Sequence, residues 1–144
     1  MWIEPTQVGT SLGNCAEYCG TQHARMLLRV IVHEPDDFAT WVAAQQQHEV
    51  AEAQVHAGRD VFFATSCVNC HTISGTTAQG KFGPDLTHLM SRDTLAAGTA
   101  PNTPDTLRAW VRDPQTLKEG ALMPNMQLSD TELDQMVTYL LTLK

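Results

Sequence analysis

Apolar side chains recur along this chain with two periods, and each period marks a different kind of element. Near the C-terminal end Leu133, Met136, Val137, Leu140 and Leu141 fall three and four positions apart, the spacing of one helix face. Ser129 precedes them with Glu132 three positions on, a capping box that predicts a helix starting just after Ser129. Leu107, Trp110 and Val111 repeat the pattern behind Thr103-Pro104, and are expected to face inward. The stretch from His56 to Thr65 reads as a helix with Gly58 and Phe62 on one face. Phe38, Trp41 and Val42 share another face behind Pro35, Asp36 and Asp37, residues suited to a first helical turn. The second period belongs to strands. Met26-Leu27-Leu28-Arg29-Val30-Ile31-Val32 is a β-branched run of strand length, Trp2-Ile3-Glu4 is a short β-prone piece, and Pro5 to Gly13 reads as turn. The chain is therefore expected to be mainly α, with a partial β segment in front.

Composition divides it at the same place. Residues 1–56 carry two basic and seven acidic side chains, whereas residues 57–144 carry seven and nine, so most of the net charge of −7 sits in the first part. Residues 1–34 read as the last strands of a β domain, 35–54 as a polar, Ala-rich helical linker, and 55–144 as an α-helical domain. His48 and His56 are expected to be solvated linker residues without partners. The acidic balance argues against nucleic acid, which requires basic patches. No stretch approaches the ~20 apolar residues of a membrane-spanning helix. Met1 is followed by neither a basic start nor an apolar secretory core, so the sequence is expected to be a fragment or the mature remainder of a longer chain.

The sharpest chemistry is Cys67-Val68-Asn69-Cys70-His71, a Cys-x-x-Cys-His run of the kind that attaches c-type haem. Two thiols three positions apart reach the two vinyl groups on one porphyrin edge, and the adjacent His71 is then held under the iron as a proximal ligand. A structural zinc site would want a second Cys/His pair of similar spacing. A redox Cys-x-x-Cys would be expected within a βαβ pattern, but the flanks here read as helices. A thioether for the sixth position is available in Gly120-Ala121-Leu122-Met123-Pro124-Asn125-Met126. Met123-Pro124 resembles the Met-Pro pattern of class I cytochromes c, which implies Met123 as the ligand with Met126 as its competitor. Opposite histidine, a methionine raises the iron's potential.

A second ligand set precedes it. Cys15, Cys19, His23 and Met26 place two thiolates, an imidazole and a thioether within twelve residues, a soft set that selects copper over calcium or magnesium. The alternative is a disulfide between Cys15 and Cys19, with His23 and Met26 as ordinary side chains.

This second stretch resembles the dinuclear CuA loop of haem-copper oxygen reductase subunit II. The resemblance implies bridging cysteines at Cys15 and Cys19, terminal ligands at His23 and Met26, and ligation by the backbone carbonyl of Glu17 in a cupredoxin-like domain. That family uses one more histidine, from a strand well upstream. No histidine precedes His23 in this chain, so the chain alone is expected not to hold a stable dinuclear copper centre. Nor is half a β domain expected to order its first 33 residues unless another chain completes the sheet.

Residues 55–144 resemble class I cytochromes c. Gly58, Phe62, Met136 and Tyr139 match the family's crossing of first and last helices. Gly83-Pro84-Asp85-Leu86 matches the segment whose proline carbonyl accepts the proximal histidine's N–H. Ser91-Arg92 and Trp110 match positions that hold the haem propionates, and His88 is expected to be a surface or packing histidine. The order of the two modules resembles the C-terminal part of subunit II in caa-type cytochrome c oxidases. That likeness implies electron relay: a soluble or membrane-bound donor protein reduces the haem, which passes the electron to CuA in an oxidase that reduces oxygen. The expected partners are the oxidase core subunits and the rest of the copper domain, on the extracytoplasmic (periplasmic) face of a bacterial plasma membrane, with attachment through upstream segments or partner subunits. No residue here forms an oxygen-reducing centre. A free-standing monohaem carrier would explain residues 57–144 but not the copper loop, and a peroxidase-like enzyme would need the open sixth position that Met123 argues against.

Overall fold

The computed structural model describes residues 2–48 and 55–144. Two antiparallel strands, β1 (Gly9–Asn14) and β2 (Leu27–Val32), form a hairpin in which Gly9 faces Val32 and Asn14 faces Leu27. The β-branched run is thus a strand, as its composition predicts. Its partner lies where turn was expected, in the stretch from Pro5 to Gly13, and Trp2 to Glu4 form no strand. The sequence GTSLGN has little strand propensity of its own; pairing with β2 supplies the extended form, and tertiary context overrides a weak local preference.

Helix α1 (Pro35–Gln45) begins with proline in its first turn and two acidic residues at the positive end of the helix dipole. Residues 46–48 of the expected helical linker leave the helix, and Glu49 to Gln54 lie outside the described residues. Helix α2 (His56–Ala64) then leads into the single turn α3 (Cys67–Cys70). A long loop carries a small ladder, β3 (Thr94–Leu95) with β4 (Ala100–Pro101), into α4 (Pro104–Arg112), α5 (Pro114–Leu117) and α6 (Asp130–Leu140).

The packing centre is the crossing of α2 and α6. Gly58 makes it possible: a Cβ there would lie 1.9 Å from the carbonyl oxygen of Gln135 and 2.8 Å from the Cβ of Tyr139. Phe62, one turn on, meets Tyr139 edge to face at 5.9 Å between ring centroids. Around this pair the core gathers Ile73, Leu107, Val111, Leu133, Met136, Val137, Leu140 and Leu143, all buried. Each such side chain contributes about 1.5–3 kcal/mol by leaving water. The capping box forms as the sequence predicts, with the Ser129 hydroxyl accepting from the Glu132 amide and the Glu132 carboxylate accepting from the Ser129 amide. Helix α4 is tied to α6 by Arg108–Asp134 at 2.7 Å and by an Arg112–Asp130 pair. No helix among the described residues is long and apolar enough to cross a membrane.

His88 is buried, with Nδ1 at 2.7 Å from the Lys144 carbonyl oxygen and Nε2 at 3.2 Å from that of Gln45. It is a packing histidine. His48, expected to be without a partner, instead sits 2.7 Å from the Ser74 hydroxyl. A polar contact spanning two elements leaves no trace in local sequence. The hairpin, too, finds support within the chain, against residues 93–99 and 117–120.

Candidate functional site

Helix α3 is one turn long, and one turn is what Cys67 and Cys70 need to share a face. The His71 amide donates to the Cys67 carbonyl at 2.9 Å, after which the backbone turns extended (φ −108°, ψ 147°) and carries His71 off the helix. Both thiols are free and half-buried. Burial pushes the Cys67 thiol above its ordinary range, while the Thr65 hydroxyl, donating to the sulfur at 3.1 Å, pulls in the opposite direction.

The loop from Thr72 to Leu86 folds back under His71. The Gly83 amide donates to the Cys70 carbonyl at 2.7 Å, and the Gly80 amide to the His71 carbonyl at 3.1 Å. Both glycines serve close approach. A Cβ on Gly83 would lie 2.6 Å from Cε1 of His71, and one on Gly80 would lie 2.5 Å from the carbonyl carbons of Asn69 and Cys70. His71 Nδ1–H donates to the Pro84 carbonyl at 2.8 Å, and Nε2 is left as the imidazole's donor atom. This bond fixes the tautomer and the orientation of the ring. The Ser74 amide donates to the Thr87 hydroxyl (2.8 Å), which donates to the Asp85 carboxylate (2.6 Å), so the Pro84 turn is held from both flanks. Arg92 donates to the Asp85 carbonyl, and burial lowers its guanidinium pKa while Asp85 opposes the change. Trp110 is half-buried on α4 against the core.

Across the chain, Met123 and Met126 are both half-buried in the loop before α6. Gln115 braces the approach to Met123: its Nε2 donates to the Ala121 carbonyl (2.9 Å) and its Oε1 accepts from the Gly120 amide (2.8 Å). Sequence reasoning did not single out Gly80, for which a glycine between His71 and the Gly-Pro pair was the available signal, and it named Gln115 only as the end of a stretch, Trp110 to Gln115, that fits the fused caa-type. The donor set fits a c-type haem: paired thiols, an imidazole with one nitrogen committed, and thioethers on a separate loop. Apolar surface lies open on the loops bearing both axial candidates, with Phe82 74% and Leu122 80% exposed, and a porphyrin's faces match such surface.

The second ligand set is assembled by the hairpin. Pairing of Asn14 with Leu27 brings the loop ends together, and the Cys15 amide donates to the Met26 carbonyl at 3.0 Å. Within that loop Cys15 Sγ lies 3.1 Å from the Glu17 carbonyl oxygen and 3.5 Å from Cys19 Sγ. Cys19 Sγ is in turn 3.9 Å from His23 Nδ1 and 3.9 Å from Met26 Sδ. The ligand atoms of Cys15, Cys19 and His23 all fall within 4.8 Å of one another. All five groups named from sequence converge, and the two cysteines are free rather than bonded as a disulfide. The hydrogen bond shared between the two thiols raises the Cys19 pKa above its ordinary value.

A helical core crossed at a glycine, a Cys-x-x-Cys-His turn and a proline carbonyl under the histidine together define a c-type haem protein. The chain belongs to the cytochrome c family, whose model matches residues 55–144. Its cofactor is haem c. Over its whole length the chain is also 37% identical to a cytochrome c oxidase subunit 2 of Alkalihalophilus pseudofirmus, covering 42% of that protein. Against the subunit 2 of Bacillus sp. strain PS3 it is 31% identical over 94% of the chain and 40% of the relative. For Bacillus subtilis the figures are 29%, 92% and 39%. The chain thus spans about two fifths of the length of these curated relatives.

Proposed function

We propose that this chain is the electron-entry part of subunit II of a respiratory oxygen reductase, taking electrons from a donor protein and relaying them to a CuA centre. The observation that carries the reading is the coexistence of two ligand sets in one chain, a haem turn at Cys67–His71 and a convergent copper loop at Cys15–Met26 packed against the haem module. A free-standing carrier has no use for the second set. Similarity over nearly the whole chain to proteins named cytochrome c oxidase subunit 2 supports the same reading. On it, the site belongs to a membrane-associated complex with its copper and haem on the extracytoplasmic side.

Bound haem supplies the one-electron chemistry. Cys67 and Cys70 would hold the porphyrin as thioethers, and His71 and Met123 would hold its iron. The Pro84 carbonyl sets the orientation of His71, while Arg92 and Trp110 serve the propionates; Arg92 is the cation for them by charge-assisted bonds. In the copper loop Cys15, Cys19, His23, Met26 and the Glu17 carbonyl would hold copper. This set contains one imidazole, so a dinuclear centre needs a further donor from elsewhere. Residues 1–34, 35–54 and 55–144 serve as copper segment, linker and haem domain.

The deciding experiment is acid-acetone extraction of the haem-loaded chain, followed by metal analysis and electron paramagnetic resonance. The pigment is expected to stay on the polypeptide, and fewer than two coppers are expected per isolated chain. Freely extracted pigment would overturn the haem assignment. A mixed-valence dinuclear signal from the chain alone would overturn the need for an outside donor.

A further inference from the structure

The copper loop does not stand off from the haem module. Gln22, the residue before His23, donates its side-chain amide to the Glu119 carbonyl, and Arg25, two residues after His23, donates through Nη1 to the Leu117 carbonyl at 3.2 Å. These carbonyls lie four and six residues before Met123, in the bend that Gln115 braces. The fit is close. Gln22 Oε1 is fully buried, and a Cβ on Gly120, which sits at φ +79°, would lie 3.0 Å from Gln22 Nε2 and from Thr21 Cγ2. Two further contacts flank the pair. The Leu27 amide donates to the Ala97 carbonyl at 3.1 Å, and Arg29 meets Asp93 at 3.4 Å.

Both side chains read backbone carbonyls, which carry no sequence information but fix position. A carbonyl cannot swing away as a side chain can, so two forked donors on either side of His23 set the loop's distance and orientation relative to residues 117–123. From these contacts we infer that Gln22 and Arg25 are positioning residues for electron passage between the two centres, holding the copper loop in register with the loop that bears the sixth iron ligand. The inference rests on the relay reading above. The contact ties the two loops together directly, His23 being next to Gln22 and Glu119 four residues before Met123. Electron transfer falls steeply with the separation of two centres, so slack between the loops is felt in rate. Neither residue is itself a ligand, and the electron passes unchanged in number, one oxidised haem for one reduced copper centre.

The test compares Gln22→Ala, the double variant Gln22→Ala/Arg25→Ala, and Arg25→Lys, which keeps a donor. In the haem-loaded chain, amide exchange at Leu27 is expected to rise about tenfold in the double variant, with the haem spectrum and potential unchanged. In the assembled oxidase, haem-to-copper transfer is expected to slow about tenfold while reduction of the haem by the donor keeps its rate. Gln22→Ala should fall between, and Arg25→Lys should retain most of the native rate. Unchanged exchange and unchanged inter-centre transfer in the double variant would overturn the inference. A general loss of haem spectrum or of donor reaction would also overturn it, as the mark of a merely structural role. Should the assembled oxidase with the unmodified chain fail to pass electrons from haem to copper at all, the relay reading fails instead.

Discussion

His71 and Pro84 are joined by one hydrogen bond of 2.8 Å across thirteen residues, and Gly83 leaves the space in which the imidazole sits. A side chain at position 83 cannot coexist with that ring. Gly83→Ala is expected to displace the imidazole, weaken or distort axial ligation and cost about 1–3 kcal/mol, the usual range for overpacking. The visible spectrum and redox titration of the haem-loaded protein report it. An unaltered spectrum with unaltered stability would mean that the ring has another resting place.

Gly58 is tighter still, because its neighbour is backbone and cannot rotate away. Gly58→Ala is expected to separate α2 from α6 and lower stability by about 3 kcal/mol, at the upper end of overpacking costs. Thermal unfolding measures it. Gly75→Ala, on an exposed turn at φ +83°, is the comparison: it strains the local backbone but leaves the crossing alone.

The two methionines of one loop are separated by substitution. Met123→Ala is expected to lower the haem potential and open the iron to added carbon monoxide in the ferrous state, since a thioether favours that state. Met126→Ala should do neither. If the two variants exchange behaviours, the sixth ligand is Met126.

Acid acts on the start of α6. The Ser129 hydrogen bond holds the Glu132 carboxyl below its ordinary value of 4.5, and Arg112 does the same for Asp130. Both groups have depressed folded values. Their contribution is therefore fully present above the ordinary carboxylate range and is lost as pH falls through the folded values. Ser129→Ala is expected to cost about 1 kcal/mol at neutral pH. The deficit should shrink at acid pH, as the pH falls through the lowered folded value and Glu132 protonates in both proteins. Denaturant titrations at the two pH values decide it; a deficit independent of pH would place the effect in the serine alone.

Local chemistry was the legible part of this molecule. The capping box, the Cys-x-x-Cys-His turn, the Gly-Pro pair and the copper-ligand spacing each lie within a few residues, where geometry follows from sequence. The strand Gly9–Asn14 was not legible, because its extended form comes from β2 and not from its own residues. The bond from Gln22 to Glu119 spans 97 positions, and that from His48 to Ser74 spans 26. Polar side chains that read distant backbone obey no periodicity. Phe62 and Tyr139 could be paired from sequence only because the resemblance to class I cytochromes c supplied the crossing.

His88 lies between the last carbonyl of α1 and that of Lys144, so the helix leading out of the hairpin is pinned to the far end of the haem module. With the hairpin itself seated on residues 93–120, the upstream segment grips the module at two separated places. The consequence is kinetic. On the relay reading proposed above, such a haem would stay moored where a mobile carrier commutes, and the visiting protein alone would diffuse, collide and leave. On that reading, lengthening the chain between residues 45 and 55 should leave the rate of haem reduction by a donor protein unchanged, since both points of grip lie outside it.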